Sequence, residues 1–212
     1  MINNNIEKIY LFLFSIIPIS IIIGASVSLI NILIISIVFI IFDIKNIKKE
    51  IFKNSEFFFL IFIYIYLIFN SFIAIDFEIS ASRNFGFIRF ILLFIVVNYF
   101  FYLSNKVDNI FNFWSLIIII VAFDSFIEFY FGKNVLGYGE LYGDRIVSFF
   151  KDEPIVGAYI NGFIFIIIGY LFDKFIDKDL KFKLLLVFII LFLFSTVLIT
   201  GERSNGIKIT LG

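Results

Sequence analysis

What most constrains this chain is a succession of apolar runs, each close to the length that carries a helix across a bilayer. A hydrocarbon core about 30 Å thick needs about 20 mostly apolar residues at a rise of about 1.5 Å each. About seven segments qualify: 9–23, 27–42, 57–75, 85–103, 111–131, 155–172 and 184–200. Backbone in hydrocarbon must pair its own polar groups, and none of these runs alternates with the period of two expected of a barrel strand. The sequence therefore predicts an all-α, polytopic transmembrane bundle, read as a single domain over residues 1–212. The first two segments are joined only by "GASVS", which leaves room for a tight hairpin or an interrupted pair.

Composition agrees. The chain is 62% hydrophobic and 16% charged, against about half and about a quarter in soluble proteins. Its 34 Phe would have to be largely exposed in a compact soluble fold of this size. No small-residue cleavage site follows the first apolar run, so that run reads as a retained helix rather than a removed signal peptide. There is no Cys and no His, which excludes thiolate nucleophiles, Cys-ligated metals and an imidazole base. A net charge of +0 gives no basic face for nucleic acid.

Lys and Arg set the expected orientation. With the N-terminus cytoplasmic, the inner segments hold ten Lys: Lys8, Lys45, Lys48, Lys49, Lys53, Lys106, Lys174, Lys178, Lys181 and Lys183. The outer ones hold six basic residues: Arg83, Lys133, Arg145, Lys151, Arg203 and Lys208. The expectation is a multi-pass protein of a bacterial cytoplasmic membrane, N-terminus inside, with Gly212 on the opposite side. No Arg falls on the inner side, and outer Arg calls for a reason.

On this topology Arg89 enters the bilayer about 6 Å below the level of residue 85. Asp124 and Glu128, spaced i and i+4, share one helical face within two turns of the same surface. Ionisable groups in a membrane cost several kcal/mol unless paired or wetted, so Arg89 is expected to meet Asp124 or Glu128, either fastening two helices or binding a ligand. Two outer loops carry further guanidiniums beside Gly and polar groups: "GYGELYGDRIVSFFKDEP" with Arg145, and "ITGERSNG" with Arg203 and a nearby Glu202. Either Arg can be a solvated loop charge or a snorkelling anchor. Several converging guanidiniums also suit a lipid-linked phosphate or diphosphate, which they bind bidentately without losing charge. Fixed cations can stabilise a departing diphosphate, so neither a metal nor a cofactor is required.

Three stretches in this order resemble the O-antigen ligase and polymerase superfamily of bacterial membrane glycosyltransferases. "DFEISASRNFGFIRF" is similar to an outer loop with Ser and Arg before a helix. "DRIVSFFKDEPIVGAYINGFIF" is similar to an Arg, Phe, Asp/Asn-Pro loop entering a helix, and "LITGERSNGI" to a short Gly-Ser-Arg-Gly motif ending a long helix. The resemblance implies transfer or polymerisation of a glycan from undecaprenyl diphosphate to a lipid or sugar acceptor at the periplasmic face, as in lipopolysaccharide or polysaccharide assembly. It implies Arg145 and Arg203 as the catalytic residues holding the diphosphate, with Arg83 and Arg89 as substrate-binding residues of the site wall; Asp124, Glu128 and Glu202, read from their own positions beside these guanidiniums, join them as candidate substrate-binding residues. Glu202 stands where the family motif has Ser, and Glu153 precedes Pro154 where the family has Asn. Family ligases continue into a large outer loop with a functional His and further helices, so the chain reads as the N-terminal portion of a longer member.

Two other classes fit the same residues. In a transporter or channel, Arg89, Asp124 and Glu128 would line a pathway, although the charges gather at the outer helix ends. In a structural membrane subunit, the ion pairs would only fasten helices.

Overall fold

The structure is a computed structural model that describes residues 4–46, 52, 54–139, 145–151 and 153–211. It is 82% helical, with no strand among the described residues. The helices in chain order are α1 (Asn4–Ser15), α2 (Ile17–Ile23), α3 (Ala25–Phe42), α4 (Ser55–Ile73), α5 (Phe77–Phe85), α6 (Ile88–Leu103), α7 (Val107–Phe131), α8 (Val156–Phe175), α9 (Leu180–Ile199) and α10 (Arg203–Leu211). Among the described residues, six spans are long and apolar enough to cross a membrane: α3, α4, α5 with α6, α7, α8 and α9; α1 with α2 makes a seventh if the pair counts as one. The protein is thus a multi-pass helical membrane protein.

The first long run is split because Pro18 has no N–H and its ring collides with the carbonyl four residues earlier. Accordingly α1 stops at Ser15 and α2 starts at Ile17, with Pro18 in its first turn. The joint read from "GASVS" is a single residue: Gly24, at φ +147, ends α2, and α3 begins at Ala25.

The chain forms two compact units, residues 1–17 with 25–107, and residues 18–24 with 108–212. In the first, α1, α3 and α6 meet around aromatic rings: Phe100 lies 5.3 Å from both Tyr10 and Phe14, and Tyr99 packs edge-on against Phe39. Lipid is as apolar as these rings, so close packing and hydrogen bonds, rather than water exclusion, hold such helices together. The Asn31 amide donates to the Leu13 carbonyl at 3.1 Å, filling one of the acceptors left open where α1 ends. At the far end of α3, buried Asp43 accepts from the hydroxyls of Tyr10 at 3.0 Å and Tyr99 at 2.8 Å. A carboxylate at a helix C-terminus faces the negative end of the dipole, and the two hydroxyls offset that cost. Glu7 takes the Lys106 ammonium at 2.8 Å and the Ser104 hydroxyl at 2.9 Å, tying α1 to the turn after α6.

Ser71 is the only buried residue of α4, which turns Phe58, Phe59, Phe62, Phe69 and Phe72 outward. It is anchored instead by a polar bond: the Asn84 amide of α5 donates to the Leu67 carbonyl and the Ser71 hydroxyl, both at 2.9 Å. The stretch 76–84, read from the sequence as an outer loop, is therefore mostly helix. Asp76 caps it, accepting the Ile79 N–H at 3.1 Å, and an acidic N-cap of this kind is a strong helix start.

In the second unit α7, α8 and α9 pack through Trp114 on Phe163 at 5.3 Å and through Phe123 and Phe126 on Phe192 at 4.8 and 5.1 Å. The Tyr159 hydroxyl of α8 donates to the Pro18 carbonyl at 3.2 Å, which secures α2.

Candidate functional site

Each unit brings a subset of the sequence-predicted residues together. In the first, Arg83 and Arg89 line one cavity of about 540 Å³ with Asn70, Asp76, Ser80 and Asn84. The side chains come from the end of α4, from α5 and from the start of α6. Arg83 is exposed and Arg89 half-buried. Neither makes an ion pair among the described residues, where Lys106 with Glu7 is the salt bridge present. The Arg89 guanidinium instead lies over the Phe90 ring, 5.0 Å from its centroid, a cation–π contact.

The joint between α5 and α6 makes this arrangement possible. Phe87, Arg89 and Phe90 donate to the carbonyls three residues back, at 3.1, 3.4 and 2.9 Å, so the chain tightens without stopping. Gly86 sits in this tight turn, where a Cβ would lie 3.2 Å from Arg89 Nη1 and 3.3 Å from the Arg83 carbonyl. Arg89 is thus the second residue of α6, rather than a turn deep in a helix beginning at residue 85.

Asp124 and Glu128 do share a face of α7, as their spacing predicts, and both are buried at 2% and 6% exposure. Donors from the chain following α7 fill their acceptors. Glu128 accepts the N–H of Val147 at 3.0 Å and of Ser148 at 2.6 Å. Asp124 accepts the Ser148 hydroxyl at 2.5 Å, the Val135 N–H at 3.0 Å and the Asn134 amide at 3.3 Å. Arg89 belongs to the other unit. A buried carboxylate needs compensation, and fixed N–H and O–H donors supply it as well as a cation does.

Asn134 completes the loop. Its amide also donates to the Ser148 carbonyl at 2.6 Å, while its side-chain oxygen accepts from Leu136 N–H at 3.0 Å and Tyr138 N–H at 2.7 Å. Ser148 is held by its N–H, its hydroxyl and its carbonyl at φ +46, a left-handed conformation that costs a non-glycine residue about 1–3 kcal/mol. Ile146, Val147 and Ser148 are buried, and Arg145 immediately before them is exposed.

Glu202 links α8 to α10. One carboxylate oxygen accepts the Gly157 N–H of the first turn of α8 at 2.7 Å, and the other accepts the Asn205 amide. The Glu202 carbonyl takes the N–H groups of Asn205 and Gly206, both at 3.0 Å, so it also opens α10. Its carboxylate is thus engaged at the positive end of α8. Gly201 makes the preceding turn at φ +72. Arg203 is the first residue of α10; its side chain lies outside the described residues, as do residues 140–144 and Asp152. Beside this turn is a second cavity of about 580 Å³, lined by Val197, Leu198, Gly201, Glu202, Ile207 and Thr210.

Asn84, Gly86, Asn134, Ser148, Gly157 and Asn205 carry these arrangements without having been picked out from the sequence. Only the turn composition around Asn134 and Gly137 offered a signal there.

The chain matches no protein-family model, no curated protein and no solved structure.

Proposed function

We propose that this membrane protein binds a lipid-linked glycan through its diphosphate and belongs to a metal-independent glycan transfer or polymerisation system of the O-antigen ligase type. The observation that carries the reading is the cavity shared by Arg83 and Arg89, two guanidiniums without a carboxylate partner among the described residues. Holding unpaired cations in a membrane-spanning segment is costly, and an anionic ligand repays that cost. Phosphate oxygens match the guanidinium fork, and Asp76, Asn70 and Ser80 along the same wall offer partners for sugar hydroxyls. The exposed Arg145 on a pinned loop, and Arg203 at a turn flanked by a largely apolar cavity, extend the reading to a second pair of phosphate-binding residues beside a surface suited to a polyprenyl chain.

In this reading the diphosphate is the leaving group, and the fixed guanidiniums stabilise the charge that develops on it. With the N-terminus cytoplasmic, as the Lys distribution predicts, transfer takes place at the periplasmic face. The test is binding of a fluorescent polyprenyl diphosphate glycan to the protein in lipid nanodiscs, followed by a glycan-transfer assay. Arg83→Ala with Arg89→Ala should weaken binding by about tenfold or more. Arg203→Lys keeps the charge but loses the two-donor fork, and should impair handling of the same ligand while leaving abundance unchanged. Parental binding by the Arg83→Ala, Arg89→Ala double variant refutes the proposal.

A further inference from the structure

We infer that Asp124 and Glu128 are positioning residues for Arg145 rather than groups that touch a ligand: together they clamp the loop after α7 in the one arrangement that presents Arg145 outward. The inference rests on the proposed phosphate-binding role of Arg145.

Burial comes first. At 2% and 6% exposure neither carboxylate can reach a ligand, and their oxygens already accept five donors from Val135, Asn134, Val147 and Ser148. Both partners of Glu128 are backbone N–H groups, which can only donate. A glutamine there would have to turn its own NH2 toward one of them, so a side chain with an acceptor oxygen on each side, as glutamate has, serves both. The strained backbone of Ser148 points the same way: a residue at φ +46 persists where its surroundings over-determine it, and here the two carboxylates and Asn134 hold its N–H, hydroxyl and carbonyl. Exposure then changes abruptly along the chain, from Arg145 outside to Ile146, Val147 and Ser148 within. The clamp therefore ends two residues short of the guanidinium it aims, as expected of a rigid support beneath a ligand-binding side chain.

The chain contains no Cys, so a single introduced thiol reports on the loop. Val147→Cys places it at a site only 1% exposed, and a membrane-impermeant maleimide should scarcely label it in nanodiscs. Adding Glu128→Gln or Asp124→Asn should speed labelling about tenfold or more, since each strips charge-assisted bonds from the loop. A second reporter, Leu193→Cys in α9 at 0% exposure, should stay protected throughout and so distinguishes loop release from unfolding. If a carboxylate variant does not fold, Ser148→Ala decides, because it removes only the hydroxyl bond to Asp124 and should give intermediate labelling.

Binding of the fluorescent polyprenyl diphosphate glycan then connects the clamp to Arg145. Glu128→Gln and Arg145→Ala should each weaken it, and the double variant should lose no more than Arg145→Ala alone, since residues acting through one another are not additive. Continued protection of Val147→Cys in the carboxylate variants overturns the clamp. Additive losses overturn its service to Arg145. Parental binding by Arg145→Ala removes the assignment of Arg145, and the positioning role with it, while the reading of Arg83 and Arg89 stands on its own measurement.

Discussion

Gly157 offers a test whose sign follows from competing terms. It lies in the first turn of α8 with its N–H 2.7 Å from Glu202 Oε1. A Cβ built there would lie 2.8 Å from Thr200 Oγ1 and 3.1 Å from both Cδ and Oε1 of Glu202. Thr200 is 0% exposed and its hydroxyl donates to the Val197 carbonyl at 2.8 Å, so it cannot step aside without losing that bond. Alanine gains about 1 kcal/mol over glycine in a helix interior. Against this, overpacking costs about 1–3 kcal/mol, and lengthening a hydrogen bond to a charged group forfeits part of another 1.5–3 kcal/mol or so. Gly157→Ala should therefore destabilise the protein by about 1–3 kcal/mol. Gly162 and Gly169 provide the control within the same helix, because a Cβ at either meets nothing within 4 Å. Alanine at those positions should stabilise by up to about 1 kcal/mol. The single tryptophan, Trp114, packs 5.3 Å from Phe163 of α8, so its fluorescence follows melting of this unit in detergent. The expected order of Tm is Gly162→Ala and Gly169→Ala at or above the parent, with Gly157→Ala lower by about 4 °C or more. A Gly157→Ala variant as stable as Gly162→Ala would refute the reasoning, since the close approach of Glu202 would then carry no energetic weight.

Two further outcomes are expected. Tyr99→Phe should cost about 1 kcal/mol, because Asp43 keeps the Tyr10 hydroxyl, whereas Asp43→Ala should cost about 2–3 kcal/mol by leaving two buried hydroxyls without their acceptor; unfolding of detergent-solubilised variants measures both. Fusions after Lys178 should be active with a cytoplasmic reporter and those after Gly139 with a periplasmic one; the reverse pattern would place Arg145 in the cytoplasm and remove the basis for a periplasmic substrate.

The spans were legible because hydrocarbon leaves the backbone so few choices: run length and the absence of alternation suffice for α3, α4 and α6 to α9. The helical nature of 77–85 was not, because "FEISASRNF" has little apolar surface, and its fold is kept by the Asp76 cap and the reach of Asn84 to α4. The spacing of Asp124 and Glu128 correctly put both on one face. Their partners were hidden because five donors scattered over residues 134–148 leave no periodic mark, whereas an Arg in an apolar run attracts attention at once. Likewise, nothing in "TGERSNG" announces that Glu202 caps a helix beginning some 45 residues earlier in the chain.

The dependence of α7 on the loop after it also bears on biosynthesis. Asp124 stands seven residues before Phe131, the last residue of α7, or about 10 Å along the helix axis. The groups that neutralise it and Glu128 are synthesised later, the last of them at Ser148. As α7 leaves the translocon it therefore enters lipid with two uncompensated carboxylates, each costing up to about 3 kcal/mol near the bilayer centre and less toward its edge. Its resting depth and final registration are settled only after the next stretch of chain has been made and folded back. A nascent chain arrested between Phe131 and Ser148 should sit shallower in the bilayer than the finished protein, and α7 should complete its insertion after synthesis of the span itself has ended.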